Sequence, residues 1–367
     1  MIVVVGKGIF GLSVAEFLSR QRQNKIVVLE SDEHVPASRA AAANLSTKSQ
    51  VFARDPHFEL KISGKKNYPE WLKSLCHESA AFTLEETKSN FVSSRGRDLF
   101  SSVELADRQW KRVVQPKSEI SARGLPEQSV VRIGSQEIEY GDEAWVDASF
   151  LLNLLESVCR SRGVEFRNCD IANLANLEAE CVDAQSLILC TGSQTPRILQ
   201  AWNLSELPPS LGKSQRWSYG GTLAIEIPGW QMPDGISLLE YVSAEALEKV
   251  TFSGTHGKLY CSSVSVSCAD KKHQNQPAEP DFLKIEAQQQ CLISALHTIF
   301  KIKLDLHEHH WRWGVRLGYG HRELVVEALP HTFSFLKGPL VVAAGAHKSG
   351  FLFAPEIGSL VGQKLQA

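Results

Sequence analysis

The chain has 367 residues, of which 43% are hydrophobic and 22% charged, so it is long enough to bury the cores of two packed domains. Its 39 basic and 41 acidic residues leave a net charge of −2 at pH 7, which argues against the basic surface that binds nucleic acids or anionic membranes. The eight cysteines form no CxxC pair, so we expect reduced structural thiols.

The N-terminal sequence has neither the charged segment nor the cleavage site of a secretory signal peptide, because Met1 leads directly into an apolar strand. No apolar stretch reaches the roughly 18 residues that a membrane-spanning helix needs. The sequence therefore predicts a soluble, cytoplasmic protein with no membrane partner.

The first thirty residues predict a strand, a glycine-rich turn, a helix and a second strand. Ile2 to Val5 forms an apolar strand, Gly6 to Gly11 has the pattern GxGxxG, and a second apolar strand begins at Ile26 and ends in Glu30. This order of elements is typical of a dinucleotide-binding βαβ unit, in which a pyrophosphate sits against the N-terminus of the helix.

The residue types in this unit match the chemistry of a bound dinucleotide. Gly6 permits the tight turn, Gly8 lets the phosphates approach, and Gly11 lets the helix pack closely on the strand. The carboxylate of Glu30 accepts the hydroxyls of an adenosine ribose and repels a 2′-phosphate. The motif therefore indicates FAD or NAD rather than NADP.

Later segments predict the rest of a nucleotide-binding sheet and a second domain. Asp147 to Gly163 has helical spacing, and the apolar strand from Ser186 leads into Thr191 and Gly192. Short alternating strands in residues 76–142 and 216–337 favour antiparallel sheet. We predict an α/β fold in which a Rossmann-type nucleotide-binding domain (1–75, 143–215 and 338–367) is interleaved with an α+β substrate domain (76–142 and 216–337).

A second glycine-rich segment follows an apolar strand near the C-terminus, from Leu340 to Gly358. Together with the N-terminal unit and the segments Ala37 to Leu45 and Leu187 to Gly192, it resembles the D-amino-acid oxidase family of FAD-dependent oxidoreductases, of the glycine oxidase and monomeric sarcosine oxidase type. The resemblance covers essentially the whole chain, with the motifs in the same order. It implies that the Rossmann-type domain binds FAD, because a nicotinamide dehydrogenase needs no second glycine-rich turn to hold a flavin ring.

The resemblance also implies which residues bind FAD. The C-terminal turn is expected to place backbone N–H groups against the flavin ring, where negative charge develops on reduction. The residues assigned in this way are Gly6, Gly8, Ile9, Phe10, Gly11, Glu30, Ser31, Ser38, Arg39, Ala40, Ala41, Ile171, Thr191, Gly192, Gly345, His347, Lys348, Ser349, Gly350, Phe351 and Leu352.

Two positions in the segment from Ala37 to Leu45 depart from the family pattern. Ala43 stands where the family usually has glycine, and Arg39 follows Ser38, where we expect it to meet the pyrophosphate or an acidic side chain. The segment from Trp311 to Arg316 and the C-terminal turn contain no cysteine to tether the flavin. We therefore expect FAD to be bound non-covalently.

Three basic residues are the candidates for catalysis. In the family an arginine after a Trp-x-Gly segment holds the substrate carboxylate in a bidentate pair, and Arg316 matches it; the alternative for Arg316 is a structural salt bridge. Lys258 resembles the lysine that lies over the flavin in monomeric sarcosine oxidase and promotes the reaction with oxygen; an exposed sheet lysine is the alternative. Lys348 falls where glycine oxidase has an arginine, or is a solvated loop lysine.

A metal site is not expected. His307, His309 and His310 form a cluster, but their strand-like spacing and the absence of a matching Cys or Asp pattern argue against zinc. Metal chemistry is therefore not part of the predicted function.

Three functions are compatible with the sequence. The first is an FAD-dependent oxidase that converts a small amine or amino acid to an imine and reduces oxygen to hydrogen peroxide. The second is a flavoprotein that oxidises or hydroxylates a side chain of a client protein during maturation of a protein-derived quinone cofactor. It is motivated by the loss of the family's motif after Arg316, where Leu317 to Leu324 stands instead. The third is a binding protein without turnover.

Overall fold

The structure is a computed structural model of the whole chain. It describes residues 1–21, 23–31, 36–47, 57–114, 128–204, 207–243, 249–255, 257–263, 266–268, 281–304, 311–320, 324–329 and 333–366. The strands in this part of the chain are β1 (Ile2–Val5), β2 (Ile26–Glu30), β3 (Asn44–Leu45), β4 (Phe91–Phe100), β5 (Val130–Gly134), β6 (Glu137–Val146), β7 (Glu165–Asn168), β8 (Ser186–Leu189), β9 (Gln215–Glu226), β10 (Leu238–Val242), β11 (Lys249–Thr255), β12 (Lys258–Ser263), β13 (Val266–Cys268), β14 (Trp311–Tyr319), β15 (Val325–Leu329) and β16 (Leu340–Ala344).

The helices alternate with these strands along the chain. They are α1 (Ile9–Ser19), α2 (Phe58–Glu78), α3 (Leu84–Asn90), α4 (Val103–Val114), α5 (Ala148–Ser161), α6 (Leu174–Glu180), α7 (Thr195–Ala201), α8 (Phe282–Phe300) and α9 (Gly350–Gln366). Short 3₁₀ helices span Ala37–Ala40, Gly192–Gln194 and Pro233–Gly235.

The first sheet has six strands in the order β15-β16-β8-β1-β2-β7. All its pairs are parallel except β15 with β16. Alternate residues of β1 enter two cores on opposite faces: Val4 packs with α1, α5 and α9, whereas Val3 and Val5 pack with α6 and α7. Because both faces are covered, the inner strands are continuously apolar, as the sequence of β1 and β2 predicts.

The second sheet has ten strands and is mainly antiparallel. Its order is β13-β9-β12-β11-β10-β4-β6-β3, with β14 added to β9 and β5 added to β6. One face packs on α8 through an apolar core that includes Phe252, Leu259 and Leu296. The opposite face carries polar side chains toward the first sheet. This mixed architecture confirms the predicted fold class.

Two strands pair across the predicted domain boundaries. β15 belongs to the six-stranded sheet, although residues 216–337 were assigned to the substrate domain, because it pairs with β16. β3 belongs to the ten-stranded sheet, although residues 1–75 were assigned to the FAD-binding domain, because it pairs with β6. The remaining division of the chain into domains stays a prediction.

Candidate active site

A large cleft lies between the glycine-rich turns of the first sheet and the polar face of the second. Its volume is about 930 Å³, at the upper end of the range of roughly 300–1,000 Å³ that is usual for cofactor and ligand sites. The turn between β1 and α1 and the turn between β16 and α9 both line it, as do residues of β14. The cleft thus brings together the two ends of the chain.

Two glycines, Gly6 in the turn between β1 and α1 and Gly11 in the first turns of α1, have no room for a side chain. Gly6 has a φ of +109°, and a Cβ there would lie 2.6 Å from the carbonyl oxygen of Cys190. A Cβ on Gly11 would overlap the carbonyl oxygen of Gly6. These contacts hold the first turn of α1 close to the end of β1, where backbone N–H groups and the helix dipole attract a pyrophosphate.

The 3₁₀ helix Ala37–Ala40 closes the same end of the cleft. The Ser38 hydroxyl accepts a hydrogen bond of 3.0 Å from the backbone N–H of Ile9, at the start of α1. Arg39 lines the cleft, and its side chain forms no hydrogen bond or ion pair with any residue that the structure describes. The segment then passes through Ala43, which has a φ of 49°, a left-handed conformation that favours glycine. The family's usual glycine at this position therefore has a conformational reason.

Glu30, at the end of β2, lines the cleft beside the glycine-rich turn. Its Oε1 lies 3.2 Å from the ammonium of Lys7, the residue between the first two glycines. The same ammonium lies 3.0 Å from Oε2 of Glu156 on α5. The carboxylate predicted to accept ribose hydroxyls is therefore held by a lysine of the phosphate turn itself.

The turn between β16 and α9 contacts the ten-stranded sheet through His347. Its backbone N–H donates to the carbonyl of Leu317 at 3.1 Å, and its Nε2 lies 3.2 Å from the Ser218 hydroxyl. Gly345 and His347 both have positive φ, 85° and 47°. The turn that is expected to face the flavin ring is therefore fastened to the strands next to Arg316.

Arg316 lies on β14 and lines the cleft, where its guanidinium packs flat on Gly220 of the neighbouring strand β9. A Cβ on Gly220 would lie 2.5 Å from the guanidinium carbon. The Arg316 side chain has no hydrogen bond or ion pair with the described residues, so no structural salt bridge is found among them. Burial lowers the pKa of its guanidinium to about 10, so it stays charged at neutral pH. A desolvated cation facing a cleft calls for an anionic ligand.

The cleft gathers most of the residues that the sequence assigned to the site. Three of the assigned residues, Gly11, Ala40 and Ser349, do not line the cleft. Gly11 packs against the turn, and Ala40 and Ser349 are buried behind the lining. Lys348 lines the cleft at an exposed position. The residues that line it are Gly6, Gly8, Ile9, Phe10, Glu30, Ser31, Ser38, Arg39, Ala41, Ile171, Thr191, Gly192, Arg316, Gly345, His347, Lys348, Gly350, Phe351 and Leu352.

Lys258 is not brought to this cleft. It lines a second cavity of about 460 Å³, together with Tyr260 and Arg312. Ser262, on the same face of β12, does line the cleft, and Lys258 lies four residues away, which is about 13 Å along an extended strand. Lys258 is therefore not among the residues that line the cleft, and its place over the flavin stays a prediction.

Sequence reasoning missed a polar row on the wall of the cleft. Glu240, Thr251 and Ser262 stand opposite one another on β10, β11 and β12, and all three line the cleft. Lys249, also lining it, donates a hydrogen bond of 2.7 Å to the buried carboxylate of Glu240. Alternation marks this face as polar in β11 and β12, whereas Glu240 lies between Leu238 and Val242 on its face of β10. Only the strand pairing places the three polar residues side by side.

The family model DAO, described as FAD dependent oxidoreductase, matches residues 1–364. The chain belongs to the DAO family of FAD-dependent oxidoreductases. This confirms the resemblance stated from the sequence, and with it FAD as the cofactor and oxidoreduction as the class of reaction. The glycine cradle, the carboxylate at the end of β2 and the size of the cleft all fit FAD.

Three solved structures illustrate what this DAO-family chain is similar to. Iminodiacetate oxidase (IdaA) from Chelativorans sp. BNC1 has a TM-score of 0.69 at 16% identity, covering 100% of this chain and 95% of the other. Glycine oxidase from Geobacillus kaustophilus has a TM-score of 0.68 at 16% identity, covering 100% and 94%. L-α-glycerophosphate oxidase from Mycoplasma pneumoniae, solved with FAD bound, has a TM-score of 0.64 at 13% identity, covering 100% and 94%. A comparison with curated protein sequences finds no match.

Other features of this DAO-family chain concern metals, membranes and thiols. Among the described residues no three histidine, cysteine or acidic side chains group as metal ligands, and His307, His309 and His310 lie outside that part of the chain. None of the described helices is both long and apolar enough to cross a bilayer. Burial raises the pKa of the cleft-lining thiol of Cys190 to about 12, so the thiol is protonated at neutral pH.

Proposed function

We propose that this protein oxidises the C–N bond of a small amine that carries a carboxylate, giving an imine, with dioxygen as the final acceptor and hydrogen peroxide as the second product. The observation that carries the proposal is Arg316, a desolvated guanidinium that lines the cleft and has no counter-ion among the described residues. A substrate carboxylate supplies the missing anion, because its two oxygens match the two N–H groups of the guanidinium edge.

Two structural relatives are named for substrates of this kind. Glycine and iminodiacetate both carry a carboxylate one carbon from the nitrogen, and the enzymes named for them are oxidases. The relative named for glycerophosphate acts on a compound without an amine, so the fold alone does not select the bond that is oxidised. Arg316 supports an anionic group on the substrate, and the choice of an amine rests on the two relatives named for amine substrates.

The residues of the cleft have defined tasks in such a reaction. When bound, FAD supplies the acceptor for the two electrons that leave the substrate with its α hydrogen. Arg316 binds and orients the carboxylate, which fixes the α carbon relative to the cofactor. The cationic side chain of Arg316 disfavours a protonated amine and so favours the neutral form that is oxidised, whereas the charge of Lys249 is balanced by Glu240.

The turn from Gly345 to Leu352 is proposed to hold the flavin ring. His347 fastens this turn to Leu317 and Ser218, the residues that follow and face Arg316 on the sheet. Arg316, which is proposed to bind the substrate, and the turn, which is proposed to hold the flavin, are thus attached to the same strands. This attachment keeps the distance between them constant. Non-covalent binding stays a prediction. It expects FAD to be released intact when the protein is precipitated with acid.

The test is an anaerobic titration of the yellow holoprotein with a panel of small amines and amino acids, followed by readmission of air. The proposal expects a carboxylate-bearing amine to bleach the flavin absorbance, oxygen to restore it, and peroxide to appear in equal amount. A panel in which amines without a carboxylate bleach the flavin as well refutes the role of Arg316. A flavin that no small amine reduces refutes the small-molecule proposal and moves the search to a protein client.

A further inference from the structure

We propose that Lys7 is a positioning residue for FAD, which holds the Glu30 carboxylate in the orientation that accepts the adenosine ribose hydroxyls. Lys7 is the variable residue between the first two glycines of GxGxxG, where the backbone alone is expected to serve the cofactor. Its side chain instead turns toward the end of β2 and lines the cleft with Glu30.

The Lys7 ammonium bridges two carboxylates from different elements. It lies 3.2 Å from Oε1 of Glu30 and 3.0 Å from Oε2 of Glu156, and 5.3 Å from the centre of the Phe166 ring. The Lys7 side chain is only 14% exposed, so solvent screens these contacts less than those of a surface pair. The Lys7 side chain is thus held between two carboxylates and an aromatic ring.

The Lys7 ammonium reduces the repulsion between two carboxylates at the predicted ribose site. Glu30 and Glu156 contact the same ammonium, so their carboxylates lie within about 6 Å of each other. Burial by itself raises the pKa of Glu156, but hydrogen bonds from Arg160 and Lys7 lower it below its usual value. Glu156 is therefore charged, and without the Lys7 ammonium its carboxylate would face that of Glu30 across a partly buried space.

The bridge also leaves Glu30 able to bind ribose. Lys7 occupies Oε1 of Glu30, while a carboxylate has two oxygens and about four acceptor positions. The second oxygen remains available for the ribose hydroxyls. Loss of Lys7 frees the carboxylate to rotate away from Glu156, and the ribose contact is lost with it.

The experiment compares the binding of FAD and FMN to apoprotein variants, measured by the change in flavin fluorescence on binding. FMN has the flavin and one phosphate but lacks the adenosine ribose, so it reports on the rest of the site. In Lys7→Met we expect the Kd for FAD to rise about tenfold and the Kd for FMN to stay within twofold of that of the original protein. Lys7→Arg restores most of the FAD affinity, because it keeps the charge.

Two further variants separate positioning from a general structural effect. If Lys7 acts through Glu30, Lys7→Met changes the Kd for FAD by less than twofold when it is introduced into Glu30→Gln. Glu156→Gln is the matched control, which removes the other acid but keeps the Lys7 to Glu30 contact, and it is expected to weaken FAD binding by less than threefold. Circular dichroism of each apoprotein checks folding.

Several results overturn the proposal. FAD binding by Lys7→Met that equals or exceeds that of the original protein shows that the lysine does not hold the ribose acceptor. An equal loss for FMN shows that the substitution distorts the phosphate turn instead. An undiminished effect of Lys7→Met in the Glu30→Gln background shows that Lys7 acts without Glu30. If Lys7→Met does not fold, Lys7→Gln, which removes the charge but keeps a polar group, takes its place in the same comparison.

Discussion

Replacement of Arg316 is the sharpest test of the proposed substrate site. In Arg316→Met the guanidinium is removed and an unbranched apolar side chain of similar reach is left on Gly220. The structure predicts opposite effects on activity and stability, because this cation lines the cleft and has no partner among the described residues. If Arg316 formed a structural salt bridge, its replacement would lower both activity and stability.

The magnitude follows from the contacts that a carboxylate can make. Each of two charge-assisted hydrogen bonds contributes about 1.5–3 kcal/mol, but the two contributions are not fully additive. We therefore expect the transition state to lose about 3–4 kcal/mol of binding free energy. This corresponds to a fall in kcat/KM of about 10² to 10³. Arg316→Lys keeps the charge but not the paired N–H groups, and we expect a loss of roughly 10- to 30-fold.

Stability is expected to move the other way. Replacement of a desolvated, unpaired charge by an apolar side chain is neutral or stabilising, so the melting temperature of the apoprotein should be unchanged or higher. The assays are stopped-flow reduction of the flavin, thermal unfolding, and FAD affinity as the control for an intact cofactor site. An Arg316→Met protein that keeps kcat/KM within threefold, or that loses several degrees in melting temperature, refutes the reasoning.

Four further predictions test the site. Gly11→Ala abolishes FAD binding, measured by fluorescence titration, since its Cβ overlaps the Gly6 carbonyl. Ala43→Gly raises the melting temperature by roughly 2 °C, about 1 kcal/mol, since it relieves a φ of 49°; an unchanged value contradicts this. Gly220→Ala displaces the Arg316 guanidinium and raises KM about tenfold while FAD affinity stays constant. Binding of a carboxylate such as benzoate, followed by flavin absorbance, weakens as the pH rises through about 10, where Arg316 loses its proton; weakening that begins below pH 8 assigns the binding to another group.

The N-terminal motif and the C-terminal turn were readable from the sequence because their chemistry is local. A glycine at 6 or 11 is required by contacts within the turn or with the adjoining strand, and Glu30 follows its strand directly. Arg316 was found because it lies in a short motif with tryptophan and glycine. The sequence thus determined the cofactor, the fold class and many of the residues that line the cleft.

Tertiary structure decided which cations meet in the cleft. Lys258 and Lys249 both occupy short polar strands, and nothing in either strand distinguishes them. The pairing of β10, β11 and β12 brings Lys249 to the cleft and carries Lys258 about 13 Å along its strand to another cavity. The contact of Lys7 with Glu30 likewise joins residues 23 positions apart. Local pattern specifies each strand, but strand register and sheet order, which depend on contacts between distant residues, decide what each side chain faces.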